Sequence, residues 1–258
     1  MTDSRPHLPE ERQALIRDRL ARQGRVLAAD LAREWRTSED TIRRDLRELA
    51  ARGLCRRVHG GALPPVTGQE PLGERLAADG ARKARLAATA LELVAPEMVL
   101  FLDAGSTNAA IARALPLDRG LRVATNAPTI AAALLERGGI PVVQIGGAVD
   151  PHTGACLGIK ALEDLDLLRP DLFFLGGCAV DRRGVSVVDH GEALFKAAVV
   201  ARSAAVACAV TNAKLGAAAP FRVLGLDALT WLVVEGDAPA PLLEDLSQGD
   251  LVVVGGRP

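Results

Sequence analysis

Ser38-Glu39-Asp40-Thr41-Ile42-Arg43-Arg44-Asp45-Leu46-Arg47-Glu48-Leu49 is the stretch whose reading decides the fold. Ile42, Leu46 and Leu49 recur at i, i+4 and i+7, which is the buried stripe of an amphipathic helix. At about 100° per residue, Asp40, Arg44 and Arg47 point away from that stripe, and Thr41 and Arg43 flank them. Thr37-Ser38 supplies a turn and an N-cap, and Glu39 and Asp40 occupy the first turn, where the helix dipole favours acids. The helix is predicted to run to about Ala51, with Gly53 as its stop. A helix that buries one face and offers Thr and three Arg on the other suits a DNA major groove. Arg can chelate a guanine edge or bind phosphate, and Thr can touch a thymine methyl. Composition alone also describes a solvated helix laced with Arg–Glu pairs, and it favours that blander reading.

The flanks extend the pattern. Leu8 to Gln23 carries Ala14, Leu15, Leu20 and Ala21 among charges and predicts an amphipathic helix ended by Gly24. Val26 to Trp35 predicts a second short helix. Beyond Gly53, Leu54-Cys55-Arg56-Arg57-Val58 predicts a short strand, and His59-Gly60-Gly61 a turn. Leu63-Pro64-Pro65-Val66-Thr67-Gly68-Gln69-Glu70-Pro71 has the composition of a linker. The expected division is a first domain at 1–62, a linker at 63–71 and a second domain at 72–258. Charge follows the same boundary. Residues 1–62 hold 14 Arg against 10 Asp and Glu, a balance of +4. Residues 63–258 hold 17 Lys and Arg against 22 Asp and Glu, a balance of −5. A basic first unit joined to an acidic second one implies a polyanionic partner for the first alone.

The second unit opens with a predicted helix around Leu72–Val94, bearing Arg75, Arg82, Lys83 and Arg85. From Met98 onward apolar runs alternate with helical stretches: Met98–Leu102, Leu121–Ala124, Pro141–Ile145, Asp171–Leu175, Ala204–Val210, Thr230–Val234 and Leu251–Val254. Continuous apolar strands with crossover helices predict an α/β domain with a mostly parallel sheet covered on both faces. Several strands run into small polar or glycine-rich loops: Asp103-Ala104-Gly105-Ser106-Thr107-Asn108, Thr125-Asn126, Gly146-Gly147, Gly176-Gly177, and Thr211-Asn212-Ala213-Lys214. In open parallel sheets, ligands sit beyond the carboxyl ends of the strands. Gly105-Ser106-Thr107 before a helix outlines an anion cradle, although such turns are also common as plain structure. Cation usage is lopsided, with 27 Arg and four Lys (Lys83, Lys160, Lys196, Lys214). A lysine kept in such a chain can serve as a compact charge for a sugar phosphate.

Other classes are disfavoured. Apolar content is 49% and charged content 24%, ordinary for a soluble globular protein. The longest apolar runs are far short of a membrane span, and Met1–Glu10 lacks an apolar signal core, so a cytoplasmic protein is expected. Cys55, Cys156, Cys178 and Cys208 form no Cys-x-x-Cys pair, and His7, His152 and His190 show no ligand spacing. Neither a metal site nor a cofactor is expected.

Residues 8–62 resemble the DNA-binding domain of the DeoR family of bacterial regulators. The resemblance is carried by Ser38-Glu39-Asp40-Thr41-Ile42-Arg43-Arg44-Asp45-Leu46 and, at the expected distance, Gly53-Leu54-Cys55-Arg56-Arg57-Val58-His59-Gly60-Gly61-Ala62. It implies a winged helix-turn-helix, with recognition from Ser38 and a wing at Leu54–Gly61. Candidate DNA contacts are Ser38, Thr41, Arg43, Arg44 and Arg47 on the helix and Arg56, Arg57 and His59 on the wing. Thr37 departs from the family's usual Val. Residues 71–236 resemble the family's sensor domain through Asp103–Thr107, Thr125-Asn126, Gly146-Gly147, Gly158, Gly184, Glu192 with Lys196, and Lys214. That domain is similar in fold to ribose-5-phosphate isomerase and the coenzyme A transferases. The resemblance implies a sugar-phosphate or related effector. Ser106 and Thr107 would hold phosphate, Asp103, Asn126 and Glu192 would take hydroxyls, and Lys196 and Lys214 would supply charge. Gly105, Asn108, Thr125, Gly146 and Gly147 complete the candidate site. Thr211 and Glu235 depart from the family's usual Asp. The expected function is an operator-binding regulator that assembles as a homodimer or larger, with repression relieved by a metabolite. The rival is a sugar-phosphate isomerase with an added DNA-binding domain. Against it, the stretch Gly176-Gly177-Cys178-Ala179-Val180-Asp181 lacks the paired acids of the isomerase loop.

Overall fold

A computed structural model of the chain describes residues 8–52, 54–63, 70–246 and 251–256. Gly53, His7 and positions 64–69 of the expected linker lie outside the described residues.

In the N-terminal unit, helix α1 (Pro9–Gln23) is followed by strand β1 (Val26–Leu27), then helices α2 (Ala28–Trp35) and α3 (Glu39–Ala51). Strands β2 (Arg56–Val58) and β3 (Gly61–Leu63) close it, and the small antiparallel sheet has the order β1-β3-β2. The three-helix core is Ile16, Leu20, Leu31, Trp35, Ile42, Leu46 and Leu49. Two expectations are corrected. Val26 and Leu27 are strand, not helix, because they pair with Ala62 and Gly61 of the returning chain. The buried face of α1 runs through Arg12, Ile16 and Leu20, while Ala14 and Leu15 are exposed. Arg12 faces inward because Asp45 of α3 receives it there, with Nε 2.7 Å from Oδ2.

The C-terminal unit begins with α4 (Leu72–Ala77) and α5 (Gly80–Ala90). The single helix expected over 72–94 is broken at Ala78-Asp79, where Asp79 takes a left-handed conformation with φ of 53°. The Lys83 ammonium fixes the break by donating to the carbonyls of Arg75 and Ala78. The chain then runs through β4 (Val99–Leu102), α6 (Ser106–Ala114), β5 (Arg122–Thr125), α7 (Pro128–Arg137) and β6 (Val142–Gln144). A hairpin follows, β7 (Ala148–Val149) with β8 (Cys156–Leu157), and then α8 (Ile159–Asp164) and β9 (Leu172–Phe174). Strands β10 (Ala179–Asp181) and β11 (Gly184–Val187) precede α9 (His190–Val200) and β12 (Ala205–Ala209). The last elements are β13 (Phe221–Leu224), β14 (Trp231–Val234), α10 (Ala240–Leu246) and β15 (Val252–Gly255).

Seven strands form a wholly parallel sheet in the order β15-β14-β12-β9-β4-β5-β6. Their side chains alternate between two cores. Leu100, Leu102, Val123 and Phe174 pack with α5, α6 and α7, and Phe101, Ala124, Phe173 and Cys208 pack with α8, α9 and α10. That double burial is why the strands read as unbroken apolar runs. From β4 the chain winds outward through β5 to β6. It then returns to β9 on the other side of β4 and winds the opposite way. The order therefore reverses between β4 and β9, and the crevice beyond their carboxyl ends is the place such a sheet offers a ligand.

Candidate operator and effector sites

The exposed face of α3 is assembled by local forces. Ser38 is extended at the N-cap, and its Oγ accepts the Thr41 amide at 3.1 Å and lies 2.9 Å from Thr41 Oγ1. This ties up an orphan helix donor and holds the Thr41 hydroxyl at the helix start. Ile42, Leu46 and Leu49 bury the opposite stripe. Asp45, 1% exposed, is turned inward onto Arg12. Arg43 is held along the helix by Glu39 at 2.7 Å and Asp40 at 3.7 Å. Arg44 and Arg47 are exposed and form no ion pair or hydrogen bond with any described residue. On the wing, alternation along β2 separates Arg57 from Arg56 and Val58. Arg56 and Val58 line a cleft against the C-terminal unit, whereas Arg57 and His59 are exposed at the hairpin. The eight sequence candidates thus divide into Ser38 at the N-cap with four on α3, two at the wing tip, and Arg56 at the junction of the two units.

The second candidate site lies at the β4/β9 crevice. Asp103, directly after β4, is 0% exposed. Its Oδ1 accepts from Asn108 Nδ2 at 2.6 Å and from the Gly176 amide at 2.8 Å. Its Oδ2 is paired with the Lys196 ammonium. Asn108 Nδ2 also donates to the Phe174 carbonyl at 2.7 Å, and Lys196 donates to the Gly176 carbonyl at 2.7 Å. Gly176 has no room for a side chain, since a Cβ would lie 2.7 Å from Asp103 Oδ1. Glu192, one turn before Lys196 on α9, is 3.1 Å from the same ammonium. Burial opposes the charge on Lys196, but Asp103 and Glu192 more than offset it and hold the ammonium above its ordinary pKa. This buried network locks the loops after β4 and β9 to α9.

A narrow cavity of about 20 Å³ sits on that network. Gly105, Ser106, Thr107 and Asn108 at the start of α6 line it, with Gly176, Gly177, Glu192 and Lys214 opposite. Lys214 Nζ donates to the Gly177 carbonyl at 2.6 Å. Burial pushes the Lys214 ammonium below its ordinary pKa, and no carboxylate among the described residues pairs with it. Arg75 of α4 lines the same cavity, and Lys83 stands close enough to repel both. Sequence reasoning did not assign Arg75 to the site, since only the folded position of α4 against the His152 and Thr153 carbonyls brings it there. The scarcity of lysine did single out Lys83. Thr125, Asn126, Gly146 and Gly147 are not part of this cavity. Thr125 Oγ1 accepts the Ala127 amide at 3.0 Å, Asn126 Nδ2 donates to the Cys156 carbonyl at 3.1 Å, and the Gly146 amide donates to Asp164 Oδ2 at 3.3 Å. Asn126 Oδ1 is buried without a partner. Glu235 braces the turn that carries Lys214, taking the Asn212 amide at 2.6 Å while Arg82 grips both its oxygens. The thiols beneath the site are held protonated by burial, with Cys208 pushed up to about 12. No group of metal-ligating side chains occurs among the described residues, and none of their helices is long and apolar enough to cross a membrane.

Residues 12–65 match the DeoR-like helix-turn-helix domain, and residues 79–236 match the DeoR C terminal sensor domain. The chain is 31% identical to the HTH-type transcriptional regulator GlpR of Haloferax volcanii, over 96% of this chain and 98% of that one. It is 32% identical to the glycerol-3-phosphate regulon repressor of Escherichia coli K12, over 85% and 87% of the two chains. It is also 30% identical to the L-fucose operon activator of the same strain, over 86% and 93%. Among solved structures, a D-ribose-5-phosphate isomerase in complex with phospho-erythronic acid aligns at 18% identity and a TM-score of 0.39, over 52% of this chain and 53% of that one. The two family matches fall on the helix-turn-helix unit and the parallel-sheet unit, and the chain belongs to the DeoR family of DNA-binding transcription regulators.

Proposed function

We propose that this regulator represses a sugar or carbohydrate catabolic operon and releases its operator when a phosphorylated sugar or related metabolite binds the β4/β9 crevice. The observation that carries this is Lys214. A desolvated ammonium with no carboxylate partner among the described residues, facing the start of α6 with Arg75 and Lys83 nearby, is a costly arrangement that an anion relieves. Ser106 and Thr107 would offer hydroxyls and helix N-terminal amides to the phosphate. Asp103 and Lys196 are consumed by each other and act by positioning the loops. Thr125, Asn126, Gly146 and Gly147 would meet only the far end of a longer ligand. The named relatives support the reading, since they include a glycerol-3-phosphate regulon repressor. Sensing is favoured over turnover because Asp103 and Glu192 both face Lys196, so neither is free as a base. A cavity of about 20 Å³ holds about one water, so a metabolite enters only if the loops around it part. That movement supplies the difference between states which any effector must exploit. Operator reading would be by a homodimer assembled through the C-terminal domain, which matches paired half-sites.

The test is an operator titration of the full chain with a panel of sugar phosphates, for wild type and Lys214→Ala. One or more of them should weaken wild-type binding, and Lys214→Ala should bind operator normally while ignoring that compound. If the variant responds like wild type, the pocket is elsewhere. Release of product from ribose 5-phosphate would restore the enzymatic reading, and sedimentation as a monomer with operator bound would exclude the dimer.

A further inference from the structure

A second cleft is larger than the β4/β9 crevice. It lies between the two units, has a volume of about 360 Å³, and is bounded by the end of α1, the wing and the β10–β11 hairpin. That volume falls within the range of small-molecule sites, roughly 300–1,000 Å³. Four arginines line it: Arg25 and Arg56 from the DNA-binding unit, Arg182 and Arg183 from the hairpin turn. None of the four guanidiniums makes a hydrogen bond or ion pair with a described residue. Asp181 and Asp245 are also in the wall. They leave the lining with an excess of two positive charges, although the unit that supplies the hairpin is acidic overall.

The cleft has a built floor. Gly24, which ends α1, and Gly216 come together with left-handed backbones, φ of 68° and 70°, over the Leu242 side chain. A Cβ on Gly24 would lie 2.5 Å from Leu242 Cδ2 and 3.5 Å from Gly216 Cα. The Gly216 amide donates to the Val180 carbonyl at 2.8 Å, which fastens this floor to the strand leading into Arg182 and Arg183. The arginines therefore converge from two units around a fixed contact. Guanidinium forks match phosphate oxygens bidentately, and four of them without carboxylate partners repel one another until an anion arrives.

We infer that this cleft is a second ligand site, for a small anion bearing two phosphates, which bridges the DNA-binding unit to the sensor unit. The bound anion clamps the wing strand β2 and the end of α1 against the hairpin. It does not use Lys214, so it is independent of the crevice assigned above.

The experiment is calorimetric titration of the full-length protein with inorganic pyrophosphate and with fructose 1,6-bisphosphate. It compares wild type, the double variant Arg182→Gln/Arg183→Gln, Arg56→Gln, and Lys214→Ala. Arg182 and Arg183 are exposed in a turn, so their replacement leaves the fold intact. The expected result is saturable binding of at least one probe, weakened about tenfold in the double variant and in Arg56→Gln, and unchanged in Lys214→Ala. Equal affinity in wild type and double variant overturns the site. Loss in Lys214→Ala alone also overturns it, since the anion then sits in the crevice. Absence of binding by either probe, together with weaker and less salt-dependent operator binding in the double variant, assigns the arginines to the DNA backbone and overturns the small-molecule site.

Discussion

At the scale of single residues, the two sites differ in how their cations are held, and this sets what each substitution should do. Arg44 and Arg47 project from α3 with no described partner, whereas Arg43 is already occupied by Glu39 and Asp40. A guanidinium that must first leave its carboxylates gains less from DNA. Arg44→Ala should therefore cost about 1–3 kcal/mol of operator affinity if it meets a guanine edge, and Arg43→Ala distinctly less. Fluorescence anisotropy at one fixed salt concentration measures both, and an equal or larger loss for Arg43 contradicts the ordering. Lys214 permits a pH prediction. Its pKa is lowered in the folded chain by burial, so above that pKa the folded protein has lost a proton the unfolded chain still holds. Stability contributed by this group thus rises with pH up to the ordinary lysine value, about 10.4. Effector binding runs the other way, because the phosphate needs the ammonium. Affinity should fall as pH rises from 7 toward about 10, earlier than an ordinary lysine would allow, with proton uptake on binding seen by calorimetry in buffers of different ionisation enthalpy. Affinity that stays flat across that window would remove Lys214 from the ligand's contacts.

At the scale of elements, what the sequence disclosed is what neighbouring residues decide. The Ser38 cap and the Ile42–Leu46–Leu49 stripe depend on a helical period confined to a dozen residues, and both stand in the structure as read. The strand-end loops were equally legible, because a buried parallel strand must stop where small polar residues begin. Val26 and Leu27 carry a helical pattern in the sequence but form strand, because their partners, Ala62 and Gly61, lie far along the chain. The break between α4 and α5 was hidden in a run of good helix formers and is set by Lys83. Arg75 reaches the crevice only through the packing of α4 on the 150–153 turn. The Arg12–Asp45 pair is likewise set by packing, its partners standing 33 positions apart in the chain. That pair is a buried ion pair between α1 and α3. Truncating one member of a buried ion pair takes a partner from the other buried charge and typically costs about 3–5 kcal/mol. A unit of this size has little stability to spare. Asp45→Ala should therefore melt the DNA-binding unit at a markedly lower temperature and leave the α/β unit's transition in place. Calorimetry on the intact chain distinguishes this from a uniform loss, and an unchanged first transition would show that the pair contributes nothing.

At the scale of the whole molecule, the crevice and the DNA-reading unit are joined by one short path. Lys214 ends the turn at 212–214, Leu215 bridges to Val180, and Gly216 meets Gly24 at the end of α1. If the loops part to admit a ligand, this turn carries the displacement to the docking contact within two residues. Allosteric coupling is usually about 1–3 kcal/mol, or roughly 5–150-fold in affinity. It requires that the contact differ between the bound and free states. Gly216→Ala is the substitution that addresses the path without touching the crevice or the DNA-reading face, Gly216 being part of the floor of the inter-unit cleft. Its Cβ would lie 3.0 Å from Leu242 Cδ2 and 3.3 Å from Gly24 Cα, on a backbone with φ of 70°. The strain costs about 1 kcal/mol, and the close approach to Gly24 Cα disturbs the docking of the two units at this point. Effector binding should survive, seen as an undiminished thermal shift, while the effector's power to weaken operator binding should fall toward none. Lys214→Ala gives the opposite pattern, with the thermal shift itself lost. If Gly216→Ala keeps the full wild-type response, the signal bypasses this contact and travels instead through the segment that joins the units or through a partner subunit.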